Sequence, residues 1–418
     1  MTRLALNILF ANLAVSYFFL VRRGQERSLT PPIVWPIFAA VGVLFLFMPP
    51  VFSGDLYEYL IRGRILAIYH ESPYLRFPES FPEDILFSYS SWPHAPDAYG
   101  PLFLYLKSLP AFLFRNSIPG MIAAMKMINF VFMGAAVYFF ARIAELLKKN
   151  DPDRLVRLFA FCPILLVTTL LDGQNDILMT AFILGAVYFL FKRRISLASL
   201  FWGCAFLVKY SAILSLPFLM LAAVKLESER TMRFPWKPLF GQALLVLAFS
   251  VAMYAPVWAG PETFAMMGRL GERFYTNTIP YAAQTALGFL GMKIPDMAAR
   301  GAFLVFFLAV YAYLFYGLWR EKESLLKRLV LSLAVTHLAF YFSLSTPFIY
   351  NYLIWGLPWL ILCEWPMDTL LITLYSFAGI FSYAKRINYL LLIAAAVYLL
   401  TLGTQKFRSR LEMRRPMP

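Results

Sequence analysis

Several residue types that soluble catalytic domains use freely are scarce in this sequence. Charged residues make up only 15% of its 418 positions, against about 25% in an ordinary soluble domain. With 61% apolar and 18% aromatic residues, mean hydropathy is +0.66, which excludes a solvated globule. Cysteine is nearly absent. Cys162, Cys204 and Cys363 lie in or at the ends of apolar segments without paired spacing, so they predict neither a disulfide framework nor a thiolate metal site. Of the three histidines, His70 and His94 lie in one polar stretch and His337 in an apolar run, and no pair has metal-ligand spacing. A divalent cation, if used, would need carboxylates such as Asp55 and Asp97. There is no Walker-type loop, no dinucleotide fingerprint and no cofactor signature. The net charge of +15 falls in short connectors, not in a basic stripe carrying exposed aromatics, so nucleic acid is excluded as a partner.

What is present is apolar runs of membrane-crossing length, repeated to the C-terminus. Thirteen can be marked, at 4–21, 32–51, 119–146, 155–171, 175–192, 195–210, 211–225, 236–257, 298–319, 327–345, 350–364, 367–383 and 389–404. They predict an all-α polytopic membrane protein with about 13 transmembrane helices (11–13). The first run carries its arginines mainly behind it, at Arg22, Arg23 and Arg27, and reads as a retained helix, not a cleaved signal. The runs 195–210 and 211–225 are short for spans; they read as two half-length helices or as one span broken near Lys209.

Orientation follows from Lys and Arg. The connectors 22–31, 142–157, 192–194, 225–237 and 320–328 and the tail 405–418 hold 24 of the 38 basic residues, which assigns them to the cytoplasm. The alternation works if 99–118 is a surface-lying helix. The chain is then a single transmembrane domain, 1–418, with two outer loops, 52–118 and 258–297, and a basic cytoplasmic tail, 405–418. It lies in a lipid bilayer with its polar face toward the outer side.

The loop beginning Ser53-Gly54-Asp55 is where the charge lies. Leu56, Tyr59, Leu60, Ile65, Leu66 and Tyr69 fit the apolar stripe of an interfacial helix. Asp55, Glu58 and Arg62 share its other face, and Glu58 and Arg62 can form a surface ion pair. Asp55 reads either as part of a helix cap or as a carboxylate placed where the preceding span leaves the membrane. In the second case apolar surroundings would raise its pKa toward that of a useful base.

The order Asp55-Leu-Tyr-Glu-Tyr-Leu-Ile-Arg-Gly-Arg64, Ser72-Pro73-Tyr74, Trp92-Pro93 and Tyr99-Gly100-Pro101-Leu102 resembles the first outer loop of GT-C glycosyltransferases. It is most similar to bacterial mannosyltransferases that draw on a polyprenyl-phosphate sugar. The resemblance continues through Asp172-Gly173-Gln174-Asn175-Asp176 and Leu207-Val208-Lys209-Tyr210, and fades at Tyr352 to Pro358. It implies a GT-C-like helical bundle in which an inverting glycosyltransferase moves a hexose, mannose favoured, from a polyprenyl-phosphate donor to an outer-face glycan or lipid acceptor. The position of the family's general base is Asp55. Relatives often carry an acid just before Gly-Arg; this chain has Arg62, so a second carboxylate role there is absent or has passed to Glu58.

A departing phosphate needs cations. Lys209, Arg64, Arg269 and Arg273 are the candidates, Lys209 foremost because a lysine within an apolar run needs a polar partner or cavity. Its ordinary reading is snorkelling to an interface; for Arg269 and Arg273 it is a solvated helix face. Asn175 and Asp176 read equally as a helix cap and as sugar or acceptor ligands, and Tyr99 and Tyr352 as rings for a sugar. Two other classes compete. A transporter or flippase of lipid-linked sugars would show internal repeats, and none is visible. An O-antigen-type polymerase or ligase would carry a large late loop rich in Arg and His, whereas 258–297 has no His.

Overall fold

The computed structural model describes residues 31–231, 235–266, 279–344 and 350–364. Their regular structure is entirely helical: α1 Pro31–Leu46, α2 Asp55–Ala67, α3 Pro101–Leu113, α4 Ile118–Leu146, α5 Pro152–Ala160, α6 Pro163–Leu166, α7 Asp176–Phe191, α8 Ile195–Val208, α9 Leu216–Thr231, α10 Trp236–Tyr254, α11 Ile279–Phe289, α12 Asp296–Arg320, α13 Leu325–Ser343 and α14 Leu353–Cys363. Proline at the first turn starts several of them, where its missing N–H is not needed.

Five helical stretches are long and apolar enough to cross a bilayer: Ile118–Leu146, Tyr210–Ser228, Trp236–Val257, Asp296–Arg320 and Leu325–Ser343. Pro152–Ala160 and Pro163–Leu171, bent by 45°, make a sixth if they are one span. This is the helical inventory of a polytopic membrane protein, but it does not reach thirteen. Part of the difference is that 4–21, 367–383, 389–404 and the tail 405–418 lie outside the described residues. The rest is physical: α1, α7, α8 and α14 are short, at 16 residues or fewer.

The break at Lys209 is a reversal. Helix α8 ends at Val208, Lys209 is extended (φ −150°, ψ 122°), and a 3₁₀ turn Tyr210–Ser215 leads into α9. The chain comes back far enough for the Arg193 guanidinium to donate to the Leu226 carbonyl. Helices α7 and α8 form the neighbouring hairpin, so Asp176 and Lys209 share one end of the bundle. At the other end lie Arg193 and, beside it, Lys225, which donates to the carbonyls of Leu318 and Trp319. Arg193 of the connector 192–194, Lys225 and Leu226 at the end of α9, and Leu318 and Trp319 at the end of α12 therefore lie together.

Helix α3 has 13 residues, about 20 Å of helix, too short to cross. It packs on α2 at Gly63, where a Cβ would sit 2.2 Å from the Lys107 carbonyl oxygen; only glycine permits that approach. Of the predicted stripe on α2, Leu56, Tyr59, Leu60 and Ile65 are buried, while Leu66 and Tyr69 are half-buried. The opposite face differs from expectation. Glu58, Arg62 and Arg64 are buried as well, because residues 78–97 fold back over them.

Candidate active site

The Asp172–Asp176 stretch forms the centre of the polar end. Helix α6 widens into a π-helical turn, Val167–Leu171, a local feature that often marks functional positions. The wide turn lets the Asp172 N–H reach the Val167 carbonyl (2.9 Å) and the Gln174 N–H the Thr168 carbonyl (2.8 Å). Gly173 adopts φ +73°, with Leu56 where a Cβ would go. From the α4 side, Asn129 Nδ2 donates to the carbonyls of Thr169 and Gln174, both at 3.2 Å.

Asp172, Gln174 and Asp176 each have a task of their own. Asp172 Oδ1 accepts the backbone N–H groups of Val51 and Phe52, both at 2.9 Å, fixing the entry to the loop. Lys126 Nζ holds the other side of that entry through the carbonyls of Phe45 (3.2 Å) and Met48 (2.5 Å). Gln174 Nε2 donates to Ser53 Oγ (2.8 Å) and to Asp55 Oδ2 (2.9 Å), while its Oε1 accepts from the Tyr59 hydroxyl (2.9 Å). Gln174 is the hinge between Asp55 and the bundle, and its place in the sequence motif did not disclose that role.

Asp55 is half-buried. Burial raises its carboxyl above the ordinary value of 3.8, and the hydrogen bonds from Gln174 and Ser53 pull the other way. One carboxylate oxygen is engaged by Gln174. Tyr59 and Tyr99 stand beside it with hydroxyls 3.2 Å apart, and burial holds both phenols well above their usual pKa, hence neutral.

Lys209 and Asp176 form the second half of the site. Lys209 Nζ donates to Asp176 Oδ1 at 2.6 Å; Trp355 Nε1 shares that oxygen at 2.6 Å, and Asn351 Nδ2 takes Oδ2 at 2.8 Å. The ammonium also lies 4.6 Å from the Tyr352 ring centroid, 5.0 Å from Trp355 and 5.7 Å from Tyr99, an aromatic cage that favours a cation. Tyr352 and Trp355 are themselves stacked at 4.3 Å. Asn351 and Trp355 were not among the expected site residues, although Trp355 stands in the late motif.

Asn175 is fully buried, and neither polar atom of its side chain has a partner. It begins α7 without capping it, so the capping alternative does not describe it. Asp176, with both carboxylate oxygens taken, has no oxygen without a donor.

The structure brings together Asp55, Tyr99, Asn175, Asp176, Lys209 and Tyr352, and sets others apart. Arg64 is buried, with Nε on both oxygens of Asp84 (3.0 and 2.7 Å) and another nitrogen on the Arg115 carbonyl. These are the partners of an internal strut, set by Asp84 and the Arg115 carbonyl. Glu58 and Arg62 do pair, but as a buried unit, not on the surface: Glu58 accepts from Ser90 Oγ and the N–H groups of Ser91 and Trp92, and Arg62 donates to the carbonyls of Trp92 and Ala95. The pair staples the loop to α2. Arg269 and Arg273 lie outside the described residues. Among the described residues no group of three or more His, Cys, Asp or Glu is placed to hold a metal ion. Asp97, paired with Lys107, is not free to join Asp55 in binding a divalent cation.

A model of the alpha-(1->6)-mannopyranosyltransferase family, N-terminal domain, matches residues 2–225. The chain belongs to this family. The match takes in Asp55, Tyr99, Asn175, Asp176 and Lys209, and stops short of Asn351, Tyr352 and Trp355. Among curated proteins, it is 22% identical over 182 residues to alpha-(1->6)-mannopyranosyltransferase A of Corynebacterium glutamicum, covering 43% of this chain and 37% of that protein. It is 24% identical over 207 residues to the protein of the same name from Mycobacterium tuberculosis, covering 49% and 40%. The matches thus span about two-fifths of these relatives' own length. No solved structure matches the chain.

Proposed function

We propose that the protein is an inverting membrane glycosyltransferase that moves mannose from a polyprenyl-phosphate donor to an outer-face glycan or lipid acceptor. The observation that carries this reading is Asp55: a half-buried carboxylate with raised pKa, joined through Gln174, Asn351 and Asp176 to a caged lysine. A base and a phosphate-binding cation on one polar wall, at a membrane boundary, suit this reaction. The thirteen-helix count, the inner-membrane location and the outward-facing site belong to the same proposal, supported by the gathering of basic connectors at the far end.

The acceptor hydroxyl gives its proton to Asp55, and its oxygen forms the new bond to the anomeric carbon. The bond from that carbon to phosphate oxygen breaks on the opposite face, and the phosphate leaves with the electron pair. Lys209 uses one N–H on Asp176 and has two more for the phosphate, so Asp176 holds the ammonium in place. Asn175 lies next to Asp176 with its side-chain donor and acceptor both unused and stays the candidate for sugar hydroxyls, while Tyr99 and Tyr352 offer rings to a sugar face. We leave Arg64 out of the phosphate site because it is buried and tied to Asp84 and the Arg115 carbonyl, and keep Arg269 and Arg273 as cations of the second loop.

The test is Asp55→Asn in purified, folded protein supplied with polyprenyl-phosphate mannose. Loss of a positioned base is expected to lower turnover about 10²–10⁴-fold. In the wild type, activity should rise with pH through a midpoint above 3.8, since a raised pKa delays formation of the base; in the variant that limb should disappear. Turnover of Asp55→Asn at the wild-type level would overturn the assignment.

A further inference from the structure

Asp97 and Lys107 take no part in the chemistry above, yet they form an ion pair in which neither side chain is exposed at all. Burying two charges costs several kcal/mol per ion in desolvation before their attraction is counted, so what the pair grips is informative. Asp97 Oδ2 takes the Lys107 ammonium, and its Oδ1 accepts the backbone N–H of Tyr99 at 3.2 Å. The Asp97 N–H is anchored on the Pro73 carbonyl at 3.0 Å. The same ammonium lies 5.4 Å from the centroid of the Tyr99 ring and 5.2 Å from that of Phe103. Tyr99 is thus held by its backbone and by its ring from one pair. Its carbonyl is held too, by the Tyr74 hydroxyl at 2.8 Å.

The Tyr99 ring in turn is a wall of the cage around Lys209, whose ammonium lies 5.7 Å from its centroid. Two lysines therefore share one ring, each with its own aspartate: Asp97 for Lys107 and Asp176 for Lys209. We infer that the Asp97–Lys107 pair is a positioning device for Lys209, acting through Tyr99. It fixes the ring against which the Lys209 ammonium rests, and so sets how that ammonium is presented to an anionic ligand such as a phosphate.

Two measurements test this. The first does not depend on the transferase reading: brief acetylation of the purified full-length protein, with each lysine quantified by mass spectrometry. Removing a cation–ring restraint of this kind corresponds to about 3–30-fold in equilibrium terms. Lys209 labelling should rise by that factor in Lys107→Met and Tyr99→Leu, and stay at the wild-type level in Tyr99→Phe, while Lys225 and Lys322 stay constant. If Lys107→Met unfolds, which a rise at Lys225 would report, Asp97→Asn replaces it, since it keeps an acceptor for the Tyr99 N–H. Wild-type Lys209 labelling in the folded variant overturns the inference.

The second measurement rests on the transferase reading. Lys107→Met should raise the KM for polyprenyl-phosphate mannose with a smaller effect on kcat, and that rise should vanish in a Lys209→Met background. Additive effects would mean that Lys107 acts independently of Lys209, and would overturn the inference while leaving the transferase intact.

Discussion

Helices α2 and α10 invert one another. Helix α2 contains Asp55, Glu58, Arg62 and Arg64, and the last three are buried. Helix α10 is mostly apolar and has no buried residue; Trp236, Phe240, Leu244, Leu247 and Val251 form an exposed stripe at helical spacing. In water this would be an inside-out protein. In a bilayer, lipid chains solvate an apolar helix as well as a protein core does, so there is little to gain by burying α10. Polar groups are what the bundle must enclose. Burial of charge, rather than of apolar surface, therefore marks the part of this molecule built for a purpose.

The strongest way to break that contrast is Asp176→Asn. It leaves the Lys209 ammonium enclosed by Tyr99, Tyr352 and Trp355 without its carboxylate, and removing one partner of a buried pair costs about 3–5 kcal/mol. A large fall in Tm in detergent is expected. An unchanged Tm would show that Lys209 has another anionic partner and that burial of charge is not what holds this end together. Next comes Gly63→Val, which drives a side chain into the Lys107 carbonyl where α2 crosses α3. Overpacking of this kind costs about 1–3 kcal/mol, read as a smaller Tm shift accompanied by loss of activity as the loop moves. The smallest effect is expected on the lipid-facing side. Phe240→Ala removes a ring that is 72% exposed, and its Tm should change by no more than about 0.5 kcal/mol allows. A larger loss would show that the Phe240 ring itself packs on something, and would weaken the comparison.

The sequence read more truly along the chain than across it. Ten of the marked apolar segments coincide with helices in the described residues, because hydropathy is a property of neighbours in sequence. A turn near Lys209 was legible from the two short runs and the basic connectors flanking them, and the contact that fixes it as a reversal is Arg193 meeting Leu226. The Glu58–Arg62 pair was legible from spacing, whereas its burial depended on Ser90, Ser91 and Trp92 folding over it. Arg64 looked available to a phosphate because nothing in its own helix announces Asp84. Asn351 and Trp355 reach Asp176 across 175 and 179 residues, a separation at which no periodicity can speak.

Those separations also carry a timetable. The Gly100 N–H finds its acceptor at the Val208 carbonyl, and Asp176 has its full set of donors only when Trp355 arrives. Because a chain is synthesised from its N-terminus at a finite rate, Asp55 and the first loop emerge long before the residues that complete the other half of the site. During biogenesis the early loop must wait until the last pieces of the cage are delivered, although both partners of each of its three buried ion pairs lie within residues 58–107. A nascent chain halted before residue 351 would display the finished loop beside a lysine still lacking two walls of its cage.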